Sequence, residues 1–197
     1  MLQKVWRTIA RLRPQAWENI EYFDEAWKDR IAALASLITE DEKIVLDLGC
    51  GPRWLRSMLS ADKTYIGADY RDRGPGTFVC NFNQRQFPDV RADVCFVSGC
   101  LEYIEDVDWF LRRAFASAPA LVLSYCTIDV YPGIRRRRNI AWVNHLTAEQ
   151  LMQMACNCGY RLQHKGPVIS GNQLFKFIRD ARQSAVQPTD EQEERQL

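Results

Sequence analysis

The sequence has little net charge, few histidines and no long apolar run, and each of these features argues against a class of function. Its 197 residues include 26 Lys and Arg against 25 Asp and Glu, so we expect no nucleic-acid partner. The longest apolar runs, such as residues 118–123, are too short to span a bilayer. No basic segment with an apolar stretch and a small-residue cleavage site opens the chain, which favours a cytoplasmic protein.

The cysteines do not form the pattern of a disulfide framework or a zinc site. Their number, seven, is odd, and several of them (Cys80, Cys95 and Cys126) lie in apolar, strand-like runs. This pattern is typical of reduced, buried thiols. Cys156 and Cys158 form a single C-x-C with no second pair to complete a metal site, so we predict that no metal is bound.

Strand-like and helix-like segments alternate from about residue 15 to residue 180. The predicted strands cover residues 44–48, 64–68, 77–80, 94–98, 120–125, 160–165 and 174–178. The predicted helices cover about residues 20–38, 54–59 and 107–115, and a further one begins at the capping-box pattern of Thr147 and Gln150. This alternation predicts an α/β fold with a parallel sheet covered on both faces by helices, followed by an antiparallel pair of strands.

Two terminal segments differ from this central domain (15–180). Residues 1–14 predict a short basic helix that stops at Pro14, and residues 181–197 are polar, so we expect a disordered tail there. The basic helix is interpreted as a docking helix over the substrate pocket or a partner subunit, with peripheral membrane contact as the alternative. The sequence does not decide the oligomeric state.

The most informative motif is VLDLGCG at residues 45–51, a buried strand that runs into a glycine turn. Two glycines let a ligand lie against bare backbone at the carboxyl edge of a sheet. A dinucleotide fingerprint requires a third glycine where Trp54 stands, and the Gly-Lys-Ser/Thr of a phosphate loop is absent. Asp47 repels phosphate and attracts an ammonium group. The ligand is therefore predicted to be cationic or zwitterionic, which disfavours a nicotinamide-dependent reductase.

The VLDLGCG motif resembles the first motif of the seven-stranded (class I, Rossmann-like) S-adenosylmethionine-dependent methyltransferases, and the resemblance spans about residues 20–180. It implies a three-layer, Rossmann-like, seven-stranded and mostly parallel sheet with helices on both faces and an antiparallel C-terminal strand. It also implies S-adenosylmethionine as the cofactor. The backbone of Gly49, Cys50 and Gly51 would pass under its methionine part, with Asp47 close by.

The resemblance assigns further cofactor contacts to the ends of the next strands. Asp69 would bind the ribose hydroxyls, because a carboxylate accepts two hydrogen bonds from a vicinal diol. Tyr70 would pack on the adenine. Asn81, followed by Phe82, would read the adenine amino group at a position where the family most often has Asp.

The fourth strand and the first helix complete the expected cofactor site. The small-residue turn of Ser98, Gly99 and Cys100 would lie at the cofactor, and Arg30 would bind the methionine carboxylate, as an arginine before the first strand does in many relatives. No Asn/Asp-Pro-Pro-Tyr/Phe follows the fourth strand, which argues against amide and base nitrogens as acceptors. Tyr103 stands where relatives often have a histidine.

The connection after the fifth strand, residues 127–146, is expected to cover the acceptor. His145 is the hypothetical general base for a hydroxyl acceptor, with Tyr103 as the second candidate; the alternative for His145 is a surface or helix-capping histidine. The run Arg135 to Arg138 indicates either an anionic acceptor held by guanidinium groups or a solvated face.

We therefore predict a methyltransferase that acts on a small-molecule or glycan- or lipid-precursor acceptor by in-line displacement. The alternative is a non-catalytic regulatory module that binds S-adenosylmethionine or S-adenosylhomocysteine.

Overall fold

The computed structural model describes residues 23–180, which form seven strands and four α-helices. The strands β1 to β7 cover Ile44–Leu48, Thr64–Asp69, Thr77–Val79, Val94–Ser98, Ala120–Tyr125, Tyr160–Ile169 and Asn172–Arg179. The helices α1 to α4 cover Trp27–Ala35, Val107–Ser117, Ile134–Asn139 and Ala148–Asn157. The predicted basic helix (1–14) and polar tail (181–197) lie outside the described residues.

All seven strands form one sheet with the order β3-β2-β1-β4-β5-β7-β6. Strands β1 to β5 run parallel to one another, whereas β7 is antiparallel to both β5 and β6. The predicted seven-stranded, mostly parallel sheet with an antiparallel C-terminal part is confirmed. The strand order reverses between β1 and β4, and in sheets of this kind ligands bind outside the carboxyl ends of the strands at such a switch point.

Helices cover both faces of the sheet, as predicted. Leu34 of α1 packs with Val45, Val94 and Val122 on one face. The other face holds a larger apolar cluster, to which α2 and α4 contribute Phe110 and Leu151. Because successive strand residues point to opposite faces, both faces need apolar side chains, which explains the continuous apolar runs of the central strands.

Three elements differ from the sequence prediction. The expected helix after β1 is a four-residue 3₁₀ helix, Trp54–Ser57, which follows a left-handed Arg53 (φ 63°). The arginine run lies on the short helix α3 rather than in an irregular loop. Strand β6 continues through Pro167 with register shifts, which is tolerated because β6 is an edge strand and has no second ladder to lose.

Within residues 23–180, none of the helices has the length and apolarity needed to cross a membrane.

Candidate cofactor and acceptor site

The glycine turn after β1 is packed tightly on two sides. Gly49 and Gly51 have φ angles of 80° and 47°, which side chains rarely adopt. A Cβ atom on Gly49 would lie 2.5 Å from the Cys100 Sγ, and one on Gly51 would lie 2.6 Å from the Phe23 ring. The backbone of this turn therefore approaches both the turn after β4 and the segment before α1, and only glycine fits at these positions.

Asp69, at the end of β2, joins this turn to the next one. Its Oδ2 accepts a hydrogen bond from the Gly51 N–H at 2.8 Å, and its Oδ1 accepts from the Arg71 N–H and the Arg73 Nε at 3.0 and 3.1 Å. The side chains of Asp69 and Arg73 are both buried, and the Arg73 guanidinium lies 5.7 Å from the Phe23 ring centre. Arg73 and Phe23 were not predicted as site residues, because nothing in the local sequence distinguishes either from a surface or core residue.

Asp47 is buried beneath the glycine turn with 4% of its surface exposed. Its Oδ2 accepts a hydrogen bond from the Tyr65 hydroxyl at 2.9 Å. Burial raises the pKa of Asp47 to about 7, an effect that the Tyr65 hydrogen bond opposes and the charge of Asp69 reinforces. Asp47 can therefore change its charge near neutral pH.

Arg30 of α1 reaches the turn after β4. Its Nε donates to the Ser98 Oγ at 3.1 Å, and a Cβ atom on Gly99 (φ 64°) would lie 2.6 Å from its Nη2. Ser124 of β5, which was not predicted as a site residue, fixes the same turn by accepting the Gly99 N–H at 3.1 Å. Burial lowers the pKa of Arg30, and the nearby charge of Glu102 opposes this. Arg30 thus lies against the turn after β4, and its contact with the methionine carboxylate stays a prediction.

The turn after β3 is connected to the turn after β4. The Asn81 Oδ1 accepts the Asn83 N–H, and the Asn83 Nδ2 donates to the Tyr103 carbonyl at 3.0 Å. The Phe82 ring lies 5.1 Å from the Phe110 ring within the core. This inward packing of the Phe82 ring argues against a cofactor contact through that side chain, because an apolar ring after a short strand packs inward. Tyr70 is 40% exposed beside Asp69.

The arginine run is divided between the interior and the surface. Arg137 is fully buried, whereas Arg135, Arg136 and Arg138 are exposed. The donors of Arg137 reach five acceptors between 2.7 and 3.4 Å: the His145 Nδ1, the carbonyls of Cys126, Tyr131 and Asn144, and the Tyr125 hydroxyl. One arginine therefore organises the connection between β5 and α4 from inside.

This arrangement argues against His145 as the general base. The Nδ1 lone pair of His145 accepts the Arg137 Nε at 3.0 Å, so the proton of the neutral ring lies on Nε2. Burial and the charges of Arg137 and Arg138 lower the pKa of His145. No local pattern indicated this, because the interaction joins residues on separate turns of the connection.

Glu102 links the cofactor side to the same connection. It is 1% exposed; its Oε1 accepts the Cys126 N–H at 2.8 Å, and its backbone carbonyl accepts the Val143 N–H at 2.9 Å. Burial raises the pKa of Glu102, which the charges of Arg30 and Arg137 oppose. Burial also raises the pKa of Tyr103 to about 12, so the Tyr103 hydroxyl keeps its proton at neutral pH.

Two side chains of the protein lie directly against the glycine turns. Phe23 lies against Gly51, and Arg30 lies against Gly99. Two surface cavities of about 350 and 430 Å³ lie elsewhere, around Leu59 and Lys63. In the part of the chain that the structure describes, no three His, Cys, Asp or Glu side chains cluster as metal ligands would.

Comparisons with known proteins agree with this geometry. The family described as methyltransferase domain matches residues 17–165. Among solved structures, the magnesium protoporphyrin IX methyltransferase of Synechocystis PCC 6803 with bound S-adenosylhomocysteine superposes with a TM-score of 0.65 at 12% identity, covering 84% of this chain and 93% of that chain. The 1,6-didemethyltoxoflavin-N1-methyltransferase of Burkholderia thailandensis, with its substrate and S-adenosylhomocysteine, superposes with a TM-score of 0.61 at 16% identity, covering 80% of each chain.

A third similar structure is an O-methyltransferase from neocarzinostatin biosynthesis in complex with S-adenosylmethionine and 2-hydroxy-5-methyl naphthoic acid. It has a TM-score of 0.60 and 18% identity, over 77% of this chain and 53% of that chain. No curated protein matches the sequence. The family match covers more than half of the chain, and the sheet is the predicted seven-stranded, mostly parallel one. The chain therefore belongs to the methyltransferase domain family, with the Rossmann-like fold of the class I S-adenosylmethionine-dependent methyltransferases.

Proposed function

We propose that the chain binds S-adenosylmethionine at the carboxyl edge of the sheet and transfers its methyl group to a small-molecule acceptor. The observation that carries this proposal is the bond between the Asp69 carboxylate and the Gly51 N–H. It brings the acid of β2 against the glycine turn of β1, at the switch point of the sheet. A ligand that combines an amino acid with adenosine needs both features, bare backbone and a carboxylate for a vicinal diol.

The residues present fit this cofactor. Arg30 would bind the methionine carboxylate, Asp69 the ribose and Asn81 the adenine amino group. The other proposed contacts are Asp47, Gly49, Cys50, Gly51, Tyr70, Ser98, Gly99 and Cys100. When bound, the cofactor would supply an electrophilic methyl group, and its sulfur would keep the bonding electron pair as the acceptor's lone pair takes the methyl.

The protein's main contribution is alignment, which can lower a barrier by up to about 7–11 kcal/mol. Tyr103 would orient the acceptor by donating a hydrogen bond. Because neither Tyr103 nor His145 is suited to taking a proton, we expect an acceptor that is nucleophilic on arrival and releases any proton to solvent. The neighbours that act on a porphyrin, a toxoflavin precursor or a naphthoic acid support a small acceptor. The positive charge of α3 supports an anionic one.

Calorimetry with S-adenosylmethionine, S-adenosylhomocysteine and NAD tests the cofactor. We expect the first two to bind and Asp69→Asn to weaken them at least tenfold, or about 1.4 kcal/mol. Asp72→Asn is the matched control: it removes the same charge from the same loop, where the Asp72 carboxylate accepts the Gly74 N–H. Binding of NAD, or equal effects of the two variants, would contradict the proposal. Radiolabelled methyl transfer into a metabolite extract then distinguishes an enzyme from a non-catalytic binding module.

A further inference from the structure

Two aromatic side chains lead from the protein surface towards the cofactor edge. The rings of Tyr131 and Trp142 are 6.0 Å apart at 67°, and both side chains are half-buried. At the outer end, the Arg136 guanidinium lies 6.0 Å from the centre of the Tyr131 ring. At the inner end, Trp142 interacts as a hydrogen-bond donor with the Tyr103 hydroxyl. We call Arg136, Tyr131 and Trp142 the aromatic row.

The aromatic row is positioned by buried groups. The Arg137 guanidinium lies 4.8 Å from the Trp142 ring centre, and its Nη1 donates to the Tyr131 carbonyl at 3.4 Å. The backbone N–H of Trp142 donates to the Arg137 carbonyl, and the backbone N–H of Val143 donates to the Glu102 carbonyl. The two rings are therefore held before any ligand arrives, which reduces the ordering cost of binding a flat molecule against them.

Charge favours an anion at the outer end of the aromatic row. Residues 127–146 contain a single acid, Asp129, whose carboxylate already accepts the Ala148 N–H at 2.6 Å. Of the three exposed arginines of α3, Arg136 is the one found over an aromatic ring within residues 23–180. The planar N–H edge of a guanidinium matches the two oxygens of a carboxylate.

We propose that the aromatic row is the acceptor subsite and that the acceptor is an aromatic carboxylate. Its ring packs against Tyr131 and Trp142, its carboxylate pairs with Arg136, and its methyl-accepting group lies towards Tyr103. This inference rests on the proposed methyltransferase function and adds the chemical class of the substrate. A neutral aromatic compound would leave Arg136 unused, and an aliphatic acid would leave the rings unused.

The test measures binding of 2-naphthoate to the full chain saturated with S-adenosylhomocysteine, with 2-naphthol and decanoate as comparison probes. We expect 2-naphthoate to bind at least tenfold more tightly than either. Arg136→Gln should weaken 2-naphthoate at least tenfold and leave 2-naphthol within twofold. Arg135→Gln and Arg138→Gln remove the same charge from the same helix without touching the aromatic row, so each should change 2-naphthoate binding less than twofold.

If the three arginine variants weakened 2-naphthoate binding equally, the inference would be overturned, because Arg136 would then contribute only through the overall positive charge of the helix. Tighter binding of decanoate or 2-naphthol would overturn it too, as would absence of 2-naphthoate binding to the chain loaded with S-adenosylhomocysteine. These results leave the proposed function standing. Failure of S-adenosylhomocysteine itself to bind would overturn the proposed function instead.

Discussion

Asp47 is the penultimate residue of β1, and its carboxyl group is almost fully removed from water. A buried carboxylate is costly unless it is compensated, and the Tyr65 hydroxyl donates a single hydrogen bond to it. The result is a carboxyl group whose pKa is raised by burial to about 7. A group of this kind costs stability at neutral pH, and such groups cluster at functional sites.

Asp47→Asn should change how stability depends on pH. The Asp47 carboxyl ionises near 3.8 in the unfolded chain and near 7 in the folded chain. Between these values the folded state holds the extra proton, so ionisation of Asp47 makes the wild type lose stability as pH rises. The unfolding free energy of Asp47→Asn minus that of the wild type should therefore increase from pH 4 to pH 7, by at most about 1.4 kcal/mol per pH unit.

Urea denaturation at pH 5, 6 and 7 measures this difference. Taking the difference removes the opposite contribution of His145, whose lowered pKa makes stability fall as pH decreases. Tyr65→Phe removes the hydrogen bond that opposes the raised pKa of Asp47, so it should extend the loss of stability to higher pH. A difference that does not vary with pH would show that Asp47 ionises normally in the folded protein.

At the scale of elements, the connection between β5 and α4 is ordered by a side chain rather than by local pattern. Residues 127–146 have no helical or strand periodicity beyond the six residues of α3. The planar guanidinium of Arg137 bonds carbonyls and side chains on both sides of that helix. Unlike a lysine ammonium, it can reach several acceptors in fixed directions at once.

Arg137→Lys should therefore destabilise the protein, although it keeps the charge. We expect a loss of about 3 kcal/mol, since several buried acceptors lose their donor. Arg138→Lys, one position further along the same helix and exposed, should change stability by no more than about 0.5 kcal/mol. Chemical denaturation measures both, and limited proteolysis should cut residues 127–146 faster in Arg137→Lys. Equal denaturation midpoints for the two variants would exclude the proposed role of Arg137 in ordering this connection.

At the scale of the whole molecule, a buried ion pair joins the last strand of the sheet to the segment that precedes β1. Lys176 lies on β7, and its Nζ is 2.9 Å from the Glu42 Oε1 and donates to the Leu37 carbonyl at 2.7 Å. The side chains of Lys176 and Glu42 are 4% and 11% exposed. The pair connects the last strand to the segment between α1 and β1, and thus the two ends of the described chain.

Lys176→Met should leave the Glu42 charge buried without its partner, at a cost of about 3–5 kcal/mol. The double variant with Glu42→Gln should be more stable than the single one, because the glutamine side chain carries no charge and its amide oxygen can still accept the Thr39 N–H that Glu42 bonds. Unfolding free energies of the two singles and the double form a mutant cycle. If the changes in unfolding free energy of the two single variants added up to that of the double variant, Lys176 and Glu42 would not be coupled. As a control, Lys43→Met breaks an exposed ion pair with Asp62 and should change the unfolding free energy little.

Much of the fold followed from local pattern. Apolar runs marked all seven strands, and glycines that need positive φ marked the turns after β1 and β4. Both are properties of short segments, because strand periodicity and turn chemistry depend on neighbours in the chain. The 3₁₀ helix after β1 was not predicted, since an apolar pattern of six residues cannot show where a helix stops.

The sequence by itself determined the sheet, the glycine turn and the acids at the ends of the strands, because each depends on residues within a few positions of one another. The tertiary structure decided which polar side chains are buried and what they contact. Arg30 meets Ser98 across 68 positions and Lys176 meets Glu42 across 134, while Arg137 differs from its three neighbours only by facing inward. Such contacts arise from packing between elements, and no local pattern records which arginine of four will point into the core.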